Sequence, residues 1–353
     1  MGLRAVAGAA CLGDGSGLIW YNALGNAGGA QPPNKLGEGG RAAWSAGTRR
    51  RDIGMVRVKD YPGSTYWGLA LYWYPEFTEG GDPVPQIAKM DFLQRYGMKG
   101  FGESPRALEK MDPAVRDRVF QELADRDMHM NLHAGTGHAS GDFGDMQRKA
   151  EEEIRLIERY VKPSRATITM CGAGCGHRYD RRWPWEERVE RVSKAISPIS
   201  RACWEMGAPL AMENHADFYV SEIVEFIRET PRLCIFLDTA NALHIGEDPV
   251  RACEEAAPYV IGTHFKDHKM VKGEQGPTHY LVTGCALGDG DADLERQFKV
   301  IFDRSAYRDR LAMLFELFAP GDKSLDPVAC FEKSVGFVRR MQDGYEALGY
   351  GRR

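Results

Sequence analysis

The sequence predicts an α/β fold, a single (β/α)8 TIM barrel, on the strength of two observations. Short apolar runs alternate with amphipathic helical segments from about residue 65 onward, and eight strand–helix pairs can be counted. Several of these runs end in an acidic residue or a histidine, as is typical of buried parallel strands that deliver functional groups at their carboxyl ends. A doubly wound open sheet is the alternative, and it is disfavoured because no GxGxxG turn follows an early strand.

The first 54 residues read differently from the rest of the chain. They are rich in Gly, Ala and Arg, lack a sustained period of 2 or 3.6, and contain the breaker-rich run GGAQPPNKLGEGG. We therefore predict a disordered or loosely packed extension over residues 1–54 and a TIM barrel over residues 55–353.

Local signals set the boundaries of the predicted elements. Gly97 is expected to close the first helix, Asp112 and Pro113 to start the second, and Ser221 to cap the fifth. The predicted strands are 66–74, 98–104, 128–135, 166–174, 208–214, 233–241, 259–267 and 310–318. The predicted helices are 85–97, 112–127, 145–161, 184–206, 221–230, 248–258, 291–304 and 326–348, with a long loop after the seventh strand.

The composition excludes several classes of protein. The 353 residues are 43% apolar and 27% charged, which is typical of a globular domain with a sizeable core. A net charge of -4 disfavours nucleic acid as a partner, and no apolar run is long enough to cross a membrane. Eight cysteines are too few for a disulfide scaffold, and buried reduced thiols predict a cytoplasmic location.

Candidate functional residues lie at the ends of six predicted strands. In a TIM barrel the active site is built at these carboxyl ends, from several strands at once. Any one of these residues could instead form a structural ion pair or cap a helix, but successive ligand spacings of 25 and 26 residues match one β/α unit each. The six residues are Glu103, His133, Glu213, Asp238, His264 and Glu316.

Four of these residues predict a metal site. Three buried carboxylates that converge near the barrel axis would repel one another strongly unless a cation neutralised them. Oxygen-rich ligation with one histidine favours one divalent ion, with Mn²⁺ first and Mg²⁺ or Co²⁺ as alternatives, over structural zinc. The predicted metal ligands are Glu213, Asp238, His264 and Glu316.

The motifs around these residues carry a resemblance to a known superfamily. They are AMENHADF, FLDTAN, GTHFKDH, LGDGDADL and LFELF, within about residues 65–345. Together they resemble the sugar isomerase/epimerase superfamily of xylose isomerase-like TIM barrels, which is related in fold to endonuclease IV. The resemblance implies a single Mn²⁺-type ion on the four ligands, proton exchange by Glu213 and Glu316, and a chain that is often dimeric or tetrameric.

The sequence also departs from one branch of that superfamily, the ketose 3-epimerases. Asn241 stands where those enzymes carry a substrate-binding histidine, and Tyr219 where they carry a second glutamate. Lys266 and Lys269 stand near the position of their arginine. A plain ketose 3-epimerase is therefore disfavoured. So is an endonuclease IV, because Asn241 replaces one of the histidines that its three metals need.

The runs ENHADF, LDTAN and THFKD resemble more closely the branch that contains the large subunits of C-glycoside deglycosidases. That resemblance implies cleavage of 3-oxo-sugar C-glycosides, a small partner subunit and a histidine base, for which His133 is the candidate. A histidine that merely lines the barrel is an equal alternative for His133. His215 and His268 are expected to bind sugar hydroxyls or to orient Glu213 or the metal.

Three hypotheses about function follow from the sequence. The first is a metal-dependent sugar isomerase or epimerase that enolises the carbon beside a carbonyl; the second is a lyase that uses the same enolisation; the third is a sugar-binding barrel without catalysis. In the first two, Glu213, Glu316 and His133 are the predicted catalytic residues. The predicted substrate-binding residues are His215, Asn241, Lys266, His268 and Glu103.

Overall fold

The computed structural model describes residues 56–61, 63–70, 81–135, 137–317 and 326–349. The predicted extension over residues 1–54 lies outside the described residues, as does the end of the predicted first strand, residues 71–74.

Eight parallel strands close into a barrel, which confirms the predicted TIM barrel and excludes the open sheet. The barrel strands are β1 (Tyr66–Leu69), β2 (Gly100–Glu103), β3 (His129–His133), β4 (Thr169–Cys171), β5 (Leu210–Glu213), β6 (Cys234–Asp238), β7 (Val260–Phe265) and β10 (Ala312–Phe315). Around the barrel the order is β1-β10-β7-β6-β5-β4-β3-β2, so consecutive barrel strands are neighbours. The remaining strands are β8 (His268–Lys272) and β9 (Tyr280–Gly284).

Helices surround the barrel, as the sequence predicts. Asp112 caps its helix as expected, since its carboxylate accepts hydrogen bonds from the backbone N–H groups of Ala114 and Val115. The prediction that Ser221 caps a helix is wrong, because that helix already begins at Val220. The helices are α1 (Pro85–Arg95), α2 (Pro105–Lys110), α3 (Pro113–Asp125), α4 (Phe143–Val161), α5 (Trp185–Glu205), α6 (Val220–Glu229), α7 (Pro249–Ala256), α8 (Leu294–Arg304) and α9 (Pro327–Ala347). Among the described residues no helix is long and apolar enough to cross a membrane.

One helix and one hairpin of two strands differ from the prediction. Helix α2 was not predicted, although Ser104 followed by Pro105 is an ordinary start signal for a helix. Strands β8 and β9 pair as an antiparallel hairpin within the segment predicted as a loop. Most residues of the hairpin are exposed or half-buried. Its strands therefore do not need alternating apolar residues, and the sequence shows only a weak alternation there.

The barrel interior below the carboxyl ends of the strands is filled by side chains. The Tyr66 hydroxyl lies 2.7 Å from Asn131 Nδ2 and 2.8 Å from Thr167 Oγ1, so the polar atoms of this layer are paired. A larger apolar core fills the space between the barrel and the helices. The apolar interior layer consists of Tyr66, Ile168, Met170, Ala211, Cys234, Phe236, Ile261, Ala312 and Leu314.

Candidate active site at the carboxyl end of the barrel

The four predicted metal ligands meet at the carboxyl ends of four neighbouring strands. Glu213 ends β5, Asp238 ends β6, His264 lies in β7 and Glu316 directly follows β10. One potential ligand atom from each side chain lies within 4.8 Å of the other three. All four residues are buried, with 1% to 7% of their surface exposed. The structure thus brings together in space the residues that the strand spacing singled out.

The strand register explains why these side chains face the same way. Side chains alternate between the two faces of a strand, so register offsets of zero or two residues keep neighbours on one face. Phe236 and Leu314 point into the barrel, and each stands two residues before one of the ligands. The register pairs are Glu213 with Phe236, Asp238 with His264, and His264 with Leu314. All four side chains therefore point toward the barrel axis.

His264 lies between the two glutamates. Its Nδ1 is 2.7 Å from Glu213 Oε1 and 3.4 Å from Glu316 Oε2. Burial lowers the pKa of His264, but the two glutamates together raise it more, to about 9. In the metal-free chain the imidazole therefore carries a proton between two carboxylates, and Nδ1 is the nitrogen that faces them.

Lys266 supplies a second positive charge to the cluster. Its Nζ lies 2.7 Å from Asp238 Oδ2 and 2.7 Å from Glu316 Oε2. Burial lowers the pKa of Lys266, but the neighbouring carboxylates raise it more, so the amine stays charged. It also lies 3.3 Å from Asn241 Oδ1. Two of the predicted substrate-binding residues, Lys266 and Asn241, are thus in contact with each other and with the ligand cluster.

Asn214 fixes the backbone that carries Asp238. Its Oδ1 accepts from the Asp238 N–H at 2.7 Å, and its Nδ2 donates to the Asp238 carbonyl at 3.1 Å. The Asn241 amide in turn donates to the Asn214 carbonyl at 3.0 Å. Asn214 was not predicted as a functional residue, although it stands directly after Glu213 in the ENHADF run. It positions Asp238 and does not face the cluster itself.

Replacing Asn214 by alanine tests this positioning role. The change leaves two buried backbone groups of Asp238 without partners, and we expect it to lower the free energy of unfolding by about 2–4 kcal/mol. We also expect Mn²⁺ affinity to fall by roughly 10- to 100-fold, as for other residues that orient a ligand. Chemical denaturation and calorimetric titration with Mn²⁺ measure the two effects. Asn131→Ala is the matched control, because Asn131 is equally buried but bonds to Tyr66 and Thr167. Equal losses of Mn²⁺ affinity in the two variants would contradict the role.

His215 lies next to Glu213, and Asp217 follows two residues later. His215 Nε2 is 3.3 Å from Glu213 Oε2, and its side chain is 52% exposed. The charge of Glu213 raises the pKa of His215. Burial raises the pKa of Asp217 to about 6, and Asp217 was not among the predicted site residues. Its place in the ENHADF run, two residues after His215, is a signal that could have pointed to it.

His133 faces the cluster from β3. Its ring stacks with that of His264, with the ring centroids 6.1 Å apart and an angle of 21° between the planes. Burial lowers the pKa of His133 to about 3, so the ring is neutral near pH 7. Its Nε2 is buried and has no hydrogen-bond partner among the residues that the structure describes. The ring is thus a neutral imidazole with one uncommitted nitrogen.

His268 forms a pair with a histidine that the sequence did not single out. Its Nδ1 lies 3.0 Å from His244 Nε2, and the two rings meet edge to face. Burial, with a smaller effect of the nearby Lys266 charge, lowers the pKa of His268 to about 3. One imidazole must therefore donate and the other accept, with both rings neutral.

Glu103 lies apart from the other predicted site residues. Its register partner on β3 is Leu132, whose side chain packs in the core outside the barrel. The Glu103 carboxylate accepts from Gln86 Nε2 of α1 at 2.9 Å and from the Ser104 N–H at 2.8 Å. Its side chain thus faces the helical layer and not the barrel axis.

The donor set fits a divalent cation. Three carboxylates and one imidazole nitrogen converge in a buried space, and hard or borderline divalent ions prefer such oxygen-rich ligation. Although burial raises the pKa of Glu213, the charges of His215 and His264 hold it below its ordinary value. Glu213 is therefore ionised, as a ligand or a proton acceptor must be.

Comparison with known proteins supports the family suggested by the motifs. A family model described as "Xylose isomerase-like TIM barrel" matches residues 90–341. The protein of that description from Mycobacterium smegmatis, solved in complex with magnesium, is 14% identical, with coverage of 80% of this chain and 96% of that chain and a TM-score of 0.55. An L-ribulose 3-epimerase is 15% identical, with coverage of 83% and 99% and a TM-score of 0.57. The 3-keto-D-glucoside 4-epimerase from E. coli is 11% identical, with coverage of 78% and 100% and a TM-score of 0.55. No curated protein sequence matches the chain significantly.

Proposed function

The chain belongs to the family of xylose isomerase-like TIM barrels, and we propose that it is a divalent-metal-dependent isomerase or epimerase that enolises a sugar beside its carbonyl group. The observation that carries this proposal is the buried cluster of three carboxylates and one histidine at the carboxyl end of the barrel. Structural relatives named as sugar epimerases agree with it. At 11–15% identity, their likeness to this chain shows a common fold.

The four residues of the cluster would hold the metal. Mn²⁺ is our first choice, with Mg²⁺ or Co²⁺ as alternatives, because the site combines oxygen ligands with one imidazole. A divalent ion bound there would act as a Lewis acid that polarises a sugar carbonyl and makes the adjacent C–H more acidic. The proposed ligands are Glu213, Asp238, His264 and Glu316.

Glu213 and Glu316 are the proposed proton-transfer groups. They lie on β5 and directly after β10, on opposite sides of His264, so their carboxylates can approach a sugar from two directions. One carboxylate would take the proton from the carbon next to the carbonyl, and the other would return a proton to the opposite face or to the neighbouring carbon. His215 lies beside Glu213 and can share its proton.

The substrate is proposed to be a sugar or sugar derivative other than a simple ketose 3-epimerase substrate. Lys266 and Asn241 contact the ligand cluster, so they are placed to bind oxygens of a sugar near its carbonyl, and His268 lies beside them. The Tyr219 ring is covered by the Arg178 guanidinium, 3.7 Å above its centroid. An aromatic ring packed in this way cannot replace the glutamate that ketose 3-epimerases carry at this position.

A lyase is the second candidate, and His133 favours it. A 3-oxo-sugar C-glycoside deglycosidase would need a base other than the metal ligands. The ring of His133 stacks with that of His264, and its Nε2 has no hydrogen-bond partner among the described residues. In this reaction His133 would take the proton from the carbon next to the carbonyl. The leaving group would then depart from the next carbon along. A small partner subunit would accompany such an enzyme. A sugar-binding barrel without catalysis remains the third candidate.

Solvent-deuterium exchange separates these candidates. The protein is loaded with Mn²⁺ and incubated in D₂O with a panel of ketoses, inososes and 3-oxo-glucosides, and carbon-bound deuterium is measured by mass spectrometry. We expect exchange with at least one substrate class and its loss after chelation of the metal. Exchange with release of a leaving group would favour the lyase. A metal-loaded protein that binds these sugars but never exchanges a proton would leave only the binding barrel.

A further inference from the structure

The backbone of Lys266 is fixed beside the cluster by two hydrogen bonds. Its backbone N–H donates to Thr239 Oγ1 at 2.9 Å, and the same hydroxyl donates to the Lys266 carbonyl at 2.6 Å. Thr239 directly follows Asp238, so the lysine is tied to the strand end that carries one of the ligands. The residue is only 4% exposed. A lysine anchored in this way has little freedom to move its charge to solvent.

The Lys266 ammonium contacts Oδ2 of Asp238, the carboxylate oxygen that accepts no hydrogen bond from the backbone. Asp238 Oδ1 already accepts from the N–H groups of Ala240 and Asn241, at 2.9 and 2.8 Å. Its Oδ2 lies 2.7 Å from Lys266 Nζ. Two hydrogen bonds use both lone-pair directions of Oδ1, so a cation must approach Asp238 through Oδ2.

Glu316 is engaged in the same way. Its Oε2 lies 2.7 Å from Lys266 Nζ and 3.4 Å from His264 Nδ1, so both positive groups of the cluster point at one oxygen. Three carboxyl groups thus face two basic side chains, Lys266 and His264, at distances of 2.7 to 3.4 Å. The chain itself supplies basic partners to the oxygens that an ion would need.

We propose that Lys266 is an internal counter-cation that holds Asp238 and Glu316 together in the metal-free chain and competes with the divalent ion for their oxygens. This inference rests on the metal site of the proposed function. The ammonium lowers the metal affinity of the site in return for a stable metal-free state, since it removes the repulsion between buried carboxylates. Asn241 Oδ1, 3.3 Å away, is a neutral acceptor for the ammonium beside these two carboxylates.

Lys266→Met separates this role from an ordinary structural one. The variant leaves the buried carboxylates with one positive charge fewer, so we expect the melting temperature of the metal-free protein to fall by roughly 5 °C. We expect Mn²⁺ to bind about tenfold more tightly or better, because no ammonium has to leave the oxygens. The rise in melting temperature on adding saturating Mn²⁺ should also be larger than in the wild type. A lysine with only a structural role would lower stability without tightening metal binding.

Lys89→Met is the matched control. Lys89 is also buried, at 5% exposed, but lies on α1, where Glu103 is the carboxylate whose charge acts on its pKa. Its removal should leave Mn²⁺ affinity unchanged. Lys266→Gln serves as a second uncharged variant, so that a failure of the methionine variant to fold does not end the test. Calorimetric titration and thermal unfolding are measured on all of these proteins.

The outcomes distinguish this inference from the proposed function. Tighter Mn²⁺ binding in the uncharged Lys266 variants, absent in the Lys89 control, supports the inference. Wild-type protein that binds Mn²⁺ while the Lys266 variants bind it equally or more weakly overturns the inference alone. Wild-type protein and Asp238→Asn with the same negligible Mn²⁺ affinity overturn the metal site, and with it both the inference and the proposed function.

Discussion

Glu316→Gln should fold normally and lose its activity. We expect the rate of carbon-bound proton exchange to fall by about 10³-fold or more, because the amide cannot accept the proton that the carboxylate transfers. Mn²⁺ affinity should fall as well, by roughly 100-fold, since one of three anionic ligands is lost. The exchange assay and calorimetric titration measure these two losses separately.

The fold should survive because the change removes one carboxylate from a cluster that has more carboxyl groups than basic side chains. Two carboxylates, Glu213 and Asp238, would then face two positive groups, Lys266 and protonated His264. The amide oxygen of the new glutamine can still accept from Lys266. Glu255→Gln is the control, because Glu255 is an exposed glutamate on α7. Full exchange activity in Glu316→Gln, at saturating metal, would refute the proton-transfer role of Glu316.

Gly68→Ala should cause a large loss of stability. Gly68 on β1 is the register partner of Gly100 on β2, and an added Cβ would lie 2.2 Å from the Gly100 carbonyl oxygen. That neighbour is backbone within the barrel wall and cannot turn aside. We expect the free energy of unfolding to fall by about 3 kcal/mol or more, at the upper end of what overpacking costs. Urea denaturation measures the change.

Gly344→Ala gives a control of opposite sign. Gly344 is an exposed residue inside α9, and a Cβ there would meet no atom within 4 Å among the described residues. Alanine loses less conformational freedom than glycine in a helix, so we expect about 0.5–1 kcal/mol of added stability. Equal effects of the two substitutions would show that the close approach of β1 and β2 does not constrain residue 68.

The sequence was sufficient to predict the barrel and the four clustered residues. Each of the eight barrel strands lies within the corresponding predicted range, because each was marked by an apolar run between helical segments. Glu213, Asp238 and His264 were recognisable because two short β/α units of similar length, 25 and 26 residues, separate them. These residues come together because the carboxyl ends of parallel strands meet at one end of a barrel, and the ends of the strands can be located in the sequence.

The position of Glu103 shows that the sequence alone does not reveal which face of a fully buried strand a side chain occupies. Strand β2 is buried along its whole length, so its sequence has no polar alternation that tells one face from the other. Only the pairing with β3 reveals that Glu103 points to the helical layer. Its role in substrate binding stays a prediction, and the geometry gives it no support.

The contacts of Asn214 and Lys266 were equally hidden. Asn214 acts through hydrogen bonds to the backbone of the next strand, and Lys266 through an ion pair with a residue 50 positions away. Neither depends on the spacing along the chain. The hairpin β8–β9 was missed for a different reason, since its exposed strands do not need apolar residues on either face.

The packed layer of side chains beneath the cluster closes the site on the side of the barrel interior. Tyr66, Phe236 and Leu314 are at most 5% exposed and fill the interior directly below the ligands. Within the part of the chain that the structure describes, an ion, a sugar or a product would therefore reach the cluster from the carboxyl ends of the strands. A sugar bound above the cluster would block the path of an ion to the site beneath it. We therefore expect the ion to bind before the sugar and to dissociate after it. Chelators should accordingly strip the metal more slowly from a protein saturated with its sugar.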